Sequence, residues 1–138
     1  MKPKTFNYDR LVKSEDLNHH STLFAGRCSE WFVEAGFIAV ASVLPPSNIV
    51  CLKIHGLTFT KPISSGDIAS FESKIILSGR SSLKVYVALK HRDEDDPLVK
   101  GFITFIHVDK KGKAIPHGLS LELSEPEDIE LNRQAKML

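Results

Sequence analysis

From Phe24 to Leu44, apolar residues fall around nearly the whole circumference of a helix: Phe24, Cys28, Trp31, Phe32, Ala35, Phe37, Ile38, Val40, Val43 and Leu44. The stretch contains no Pro and runs into Pro45-Pro46, which cannot continue a helix. Ser21 or Thr22 stands where a side-chain cap belongs. A helix apolar on all sides is a buried helix, so other elements are expected to enclose it.

Beyond Pro46 the composition changes. Asn48–Thr60, Asp67–Leu77, Leu83–Arg92 and Leu98–Asp109 are rich in Val, Ile, Phe and Thr and read as strands. Gly66, Ser78-Gly79-Arg80-Ser81 and Asp93–Pro97 mark the turns between them, and links this short favour antiparallel neighbours. Thr5–Val12 reads as a first strand and Lys13–Thr22 as a polar loop. The expected class is α+β: one domain over residues 1–138, a curved antiparallel sheet wrapped around one long central helix. Pro126–Met137 reads either as a short helix or as part of a mobile tail over 120–138. Ile75-Ile76-Leu77 and Phe102–Ile106 are apolar on both faces of their strands. That predicts a homo-oligomer, unless loops or the C-terminal segment cover the second face.

Composition narrows the partners. With 138 residues, 42% hydrophobic and 25% charged, the chain is an ordinary globular domain, and a net charge of +1 gives no bulk attraction to nucleic acid or membrane. The N-terminus, MKPKTFNYDR, lacks the apolar region of a secretory signal. Trp31–Leu44 is interrupted by Glu34 and too short to cross a bilayer, so a cytoplasmic location is expected by default. Cys28 and Cys51 are expected to be buried free thiols, and no spacing suggests a metal site.

Few residues offer chemistry. Glu34 sits between apolar neighbours in the long helix, where a carboxylate is costly unless paired or set in a wet cleft. Glu30, four residues earlier, projects to the same side. Asn18-His19-His20-Ser21 places hydrogen-bonding groups just before the helix N-terminus, whose free N–H groups suit an anion or a developing oxyanion. Gly79, Arg80, Ser81 and Ser82 form a turn suited to phosphate, and Lys61 is a further candidate cation. Trp31, Phe32 and Phe37 read as core. No nucleophile elbow, Walker loop or dinucleotide fingerprint is present.

Two segments carry a family resemblance. Asp16–Gly26, with its Asn followed by Phe24-Ala25-Gly26, and Gly56–Asp67, with Phe59, Pro62-Ile63 and Gly66-Asp67, together resemble the hot-dog-fold acyl-CoA thioesterases. The match runs from about Val12 to Pro116. It implies hydrolysis of acyl-CoA to a free acid and coenzyme A, with no cofactor beyond the substrate and with a dimer or a multiple of dimers as the working unit. It further implies Asn18 in the loop role, Glu34 as the acid and the Gly26 N–H as an oxyanion donor. Lys61 and the Gly79–Ser82 turn would meet the coenzyme A phosphates. In that family the acid falls seven residues beyond the second Gly, which is Val33 here, and Glu34 lies eight beyond; Glu30 is the other acid within reach. A hydratase or dehydratase using His19 or His20, and a non-catalytic acyl-CoA binding module, are the competing readings.

Overall fold

The change of pattern at Pro45-Pro46 is where helix gives way to sheet. A computed structural model describes residues 1–138. The elements are β1 (Phe6–Leu11), α1 (Ala25–Ala41), β2 (Ile49–Ile54), β3 (Ile68–Ser78), β4 (Ser82–His91), β5 (Val99–His107) and α2 (Pro126–Lys136). The strands form one antiparallel sheet in the order β1-β3-β4-β5-β2. One-residue irregularities after Cys51 and after Ile75 interrupt the ladders, and such bulges increase local twist.

The helix starts later than its sequence suggests. Phe24, not Ser21 or Thr22, holds the N-cap position, and no side chain caps it. The reason is non-local. Ser21 takes a left-handed φ of 61°, and the residues after it run extended, with the Leu23 N–H bonded to Ile63 O and the Phe24 N–H to Asp16 O. At the other end the Ser42 hydroxyl donates to Ala39 O before the prolines.

One face of α1 lies on the sheet. Trp31, Phe32, Ala35, Gly36, Ala39 and Val40 are buried, and they join Phe71, Val85, Val87, Ile103 and Phe105 in a single core. Each large side chain buried there contributes about 1.5–3 kcal/mol. Gly36 sets the closeness of the packing, since a Cβ would meet Ile103 Cδ1 at 3.0 Å. The expectation of a helix enclosed on all sides is corrected: Phe24, Glu30, Glu34 and Ile38 are exposed, because the sheet curls around only part of it.

Of the two readings of the C-terminal segment, the structure has the helix. Leu131 and Ala135 of α2 pack on Ile76, with Tyr86 and Phe102 alongside, on the sheet face opposite α1. A largely buried Lys74–Asp128 ion pair of 2.7 Å anchors its start. Lys84 Nζ donates to Ala135 O at its end. This covers part of the second apolar face. Strand β2 stays open: Val50, Leu52 and Ile54 are exposed on an edge strand, Leu52 by 65%. Cys28 is buried as expected, whereas Cys51, on this edge, is exposed, and both are free thiols.

Strand β2 is shorter than predicted. It ends at Ile54, and Gly56 takes a φ of 96°. Residues 55–60 still run beside β5, with the His55 N–H bonded to Phe102 O and the Thr60 hydroxyl to Leu98 O. Gly101 permits this crossing, because a Cβ there would sit 2.7 Å from Gly56 O. No helix of the protein is long and apolar enough to cross a membrane.

Candidate active site

Asn18 organises the loop before α1. Its Oδ1 accepts from the N–H of His20 at 2.8 Å and of Thr22 at 3.2 Å, and its Nδ2 donates to Thr22 Oγ1 at 3.1 Å. Below it, buried Asp16 accepts from the Lys13 N–H and pairs with Arg27 at 3.2 Å, which ties the loop to the first turn of α1. The loop is also stitched to a distant segment by the Leu23 N–H to Ile63 O bond and a bridge between Thr22 and Ser64.

Between these segments lies a cavity of about 310 Å³. Asn18 and Thr22 border one side; Phe59, Thr60 and Lys61 border the other; Cys28, Ile63 and Val99 contribute apolar surface. Burial pushes the Cys28 thiol up to about 12, so it lines the cavity as a neutral group and not as a nucleophile. Ala25 borders the cavity, whereas Gly26 lies against the ring of Phe24, 2.6 Å from where its Cβ would be. The first backbone bond of the helix runs from the Cys28 N–H to Phe24 O, leaving the earlier N–H groups without intrahelical acceptors.

Glu34 is not buried. Its side chain is 53% exposed, accepts a hydrogen bond from the Tyr8 hydroxyl, and lies 3.9 Å from Arg10. Arg10 donates to the Tyr8 hydroxyl at 2.6 Å and stacks over the Trp31 ring at 4.8 Å. Burial, then the bond to Glu34, raises the Tyr8 pKa. The expected buried carboxylate is thus an exposed one, held by β1. Glu30 is exposed beside it and pairs with Arg27 at 3.4 Å. Neither acid borders the Asn18 cavity of its own chain.

The other sequence candidates are spread out. Lys61 joins Asn18 at the cavity. Gly79–Ser82 form the β3–β4 hairpin, where the Gly79 N–H bonds to Ser82 O. Ser82 pairs with Ile106, whereas Val99 of the cavity pairs with Leu89 at the other end of β4. Arg80 is therefore roughly 20 Å along the sheet from Lys61's end, at about 3.3 Å per residue. His19 and His20 are exposed, with ring centroids 4.1 Å apart, and no cluster of three metal-ligating side chains exists. Sequence reasoning missed Tyr8 and Arg10, whose only local signal is their two-residue spacing on one face of β1.

No family model matches the chain. Among solved structures, an apo-hexameric acyl-CoA thioesterase superposes with a TM-score of 0.86 and 26% identity, covering 96% of this chain and 86% of that one. This is the hot-dog fold of the acyl-CoA thioesterases. The acyl-CoA hydrolase of Bacillus cereus shares the hot-dog fold with a TM-score of 0.87 at 25% identity, over 96% of this chain and 82% of that one. A curated relative, an uncharacterized acyl-CoA thioester hydrolase of Bacillus subtilis, is 29% identical over 105 residues, 73% of this hot-dog chain. The chain spans about 60% of that relative's length. A relative of the same description from Haemophilus influenzae is 25% identical over 83% of this chain and 80% of its own.

Proposed function

We propose that the protein hydrolyses acyl-CoA thioesters to a free carboxylic acid and coenzyme A, as a homo-oligomer assembled from dimers. The observation that carries this reading is the meeting of the Asn18 loop with the Phe59–Ile63 segment around one cavity. The exposed β2 edge supports self-association, since an open apolar edge strand is a ready pairing surface.

In this reading a water attacks the thioester carbonyl carbon. A carboxylate takes the water's proton, and negative charge develops on the carbonyl oxygen. The Asn18 amide and the free N–H groups at the start of α1, Gly26 among them, stabilise that charge. Collapse breaks the C–S bond, and the proton held by the carboxylate passes to the leaving thiolate of coenzyme A. Glu34, delivered by a second copy of the chain, is the proposed base, with Glu30 the alternative. Lys61 and the Gly79–Ser82 hairpin, the latter also from a second copy, are the proposed contacts to the coenzyme A phosphates. The reaction needs no cofactor, because coenzyme A arrives with the substrate. Two free thiols fit a reducing, cytoplasmic setting.

The test is thiol release from a panel of acyl-CoAs of increasing chain length. Turnover of at least one member is expected. Tight binding across the panel with no thiol released would reject hydrolysis in favour of a binding module.

A further inference from the structure

Exposure alternates along β1, and Tyr8 and Arg10 fall on its inward side, two residues apart. Trp31 and Glu34, three residues apart on α1, are the side chains they meet. The core places both β1 residues. The Tyr8 ring packs on Phe71 with centroids 6.1 Å apart, and buried Trp31 meets the same Phe71 edge-on. Arg10 lies over Trp31, 4.8 Å from the ring centroid. The polar ends of the two β1 side chains then reach Glu34. We propose that Tyr8 and Arg10 are positioning residues for thioester hydrolysis, fixing which carboxylate oxygen of Glu34 is left to take a proton from water. The inference rests on the acyl-CoA reading with Glu34 as the base.

The hydrogen bonds run in one direction. Arg10 Nη1 donates to the Tyr8 hydroxyl oxygen at 2.6 Å, and a guanidinium has no acceptor to offer in return. The hydroxyl proton therefore points away from Arg10, and Glu34 Oε2 receives it. The Arg10–Glu34 contact of 3.9 Å falls on that same oxygen. Glu34 Oε1 takes part in no hydrogen bond or ion pair within the chain. The carboxylate is gripped by one oxygen and presents the other. Burial, and then the bond to Glu34, raise the Tyr8 pKa against the opposing effect of Arg10, so the hydroxyl keeps its proton and stays a donor.

The same contacts separate the two helix acids. Glu30, one turn earlier, pairs with Arg27 of its own helix, and neither Tyr8 nor Arg10 bonds it. Glu34 alone is held from a second element whose side chains are themselves packed against the core. A free surface carboxylate spreads over many rotamers, and one held in a single arrangement needs no such search before it acts. Tyr8 and Arg10 work on the carboxylate and not on the bound thioester, so the quantity they govern is kcat, with KM little affected.

The experiment measures kcat and KM on an acyl-CoA that the wild type hydrolyses, for Tyr8→Phe, Arg10→Lys and Arg10→Met, and for Tyr8→Phe combined with Glu34→Gln. Tyr8→Phe keeps the ring on Phe71 and removes only the hydroxyl, and it is expected to lower kcat about tenfold with KM within about twofold. Arg10→Lys keeps a charged donor and is expected to retain more kcat than Arg10→Met, which keeps only a stem over Trp31. In the Glu34→Gln background, Tyr8→Phe is expected to slow the residual rate no further, because residues that act through one another do not add. Full kcat in Tyr8→Phe beside an inactive Glu34→Gln overturns the inference and leaves Glu34 as the base. The same fractional loss from Tyr8→Phe in both backgrounds overturns it too, and makes the tyrosine a strut between β1 and α1. Full turnover in Glu34→Gln overturns the base and the positioning together, as does a wild type that releases thiol from no acyl-CoA.

Discussion

The Tyr8 hydroxyl donates to the Glu34 carboxylate across the seam between β1 and α1. With Arg10 also 3.9 Å away, the helix acid is held on the β1 side and does not border the cavity beside Asn18. If the two groups act on one substrate, they belong to different copies. Asn18→Asp and Glu34→Gln should each lose most turnover alone. Co-assembled in equal amounts, they should recover about a quarter of the wild-type rate, because half the pairs carry one intact site of two. Unchanged turnover in Glu34→Gln would remove it as the base.

Asn18 also shapes its loop, so its chemistry must be separated from its architecture. Asn18→Asp keeps the oxygen that accepts from the His20 and Thr22 N–H groups and replaces the amide donor, which also bonds Thr22 Oγ1, with a negatively charged acceptor. Asn18→Ala removes both and should cost about 1–2 kcal/mol in urea unfolding. The Asp variant should unfold near the wild-type midpoint while turnover falls by about 100-fold, the scale of a lost oxyanion donor. A turnover drop that tracks stability in both variants would make the residue architectural only.

Leu52 stands on the open edge of the sheet. A charge there should block edge pairing at little cost to the monomer, since the side chain is already exposed. Leu52→Glu is expected to elute as a monomer with an unchanged circular dichroism spectrum, and to lose activity if the site needs two copies. Retention of the full oligomer mass would place the interface elsewhere.

Lys74 and Asp128 are both largely buried and 2.7 Å apart. Lys74→Met strands the carboxylate and should destabilise the fold by about 3–5 kcal/mol, whereas Lys74→Met with Asp128→Leu should recover much of it. Hydrogen exchange in α2 should rise in the single variant first. Equal stability of the single and double variants would contradict a buried pair.

Cys28 offers a pH signature. Burial raises its thiol from an ordinary 9.0 to about 12. The folded state therefore binds that proton more tightly than the unfolded chain. The stabilisation is complete below pH 9 and fades as pH rises toward 12. Unfolding free energy measured over that range should fall less steeply in Cys28→Ala. The native thiol should also resist alkylation at pH 8 until the chain is unfolded.

Most of the architecture was legible because its signals are local. Pro45-Pro46 ended the helix, and strand-rich runs divided by short turns gave four of the five strands to within a few residues, with β2 overrun. What failed depended on partners far away in sequence. In sequence Thr22–Phe24 look like the entry to a helix, but their backbone is committed to Asp16, Ile63 and Ser64. The apolar residues flanking Glu34 point to burial, yet its surroundings are set by Tyr8 and Arg10 on a strand 24 or more residues upstream. Cys51 looked like core because it is apolar among apolar neighbours, and only the sheet order shows that its strand is an edge. The Asn18 cavity was legible as two motifs, though not as the two sides of one space.

The absence of a side chain at residue 101 has a further result. It lets the backbone around Gly56 lie flat across the neighbouring strand, and that stretch becomes a thin partition with a hollow on either side. Residues 55–58 wall one hollow and residues 59–61 the other, so a single uninterrupted run of backbone serves two spaces that have no lining residue in common.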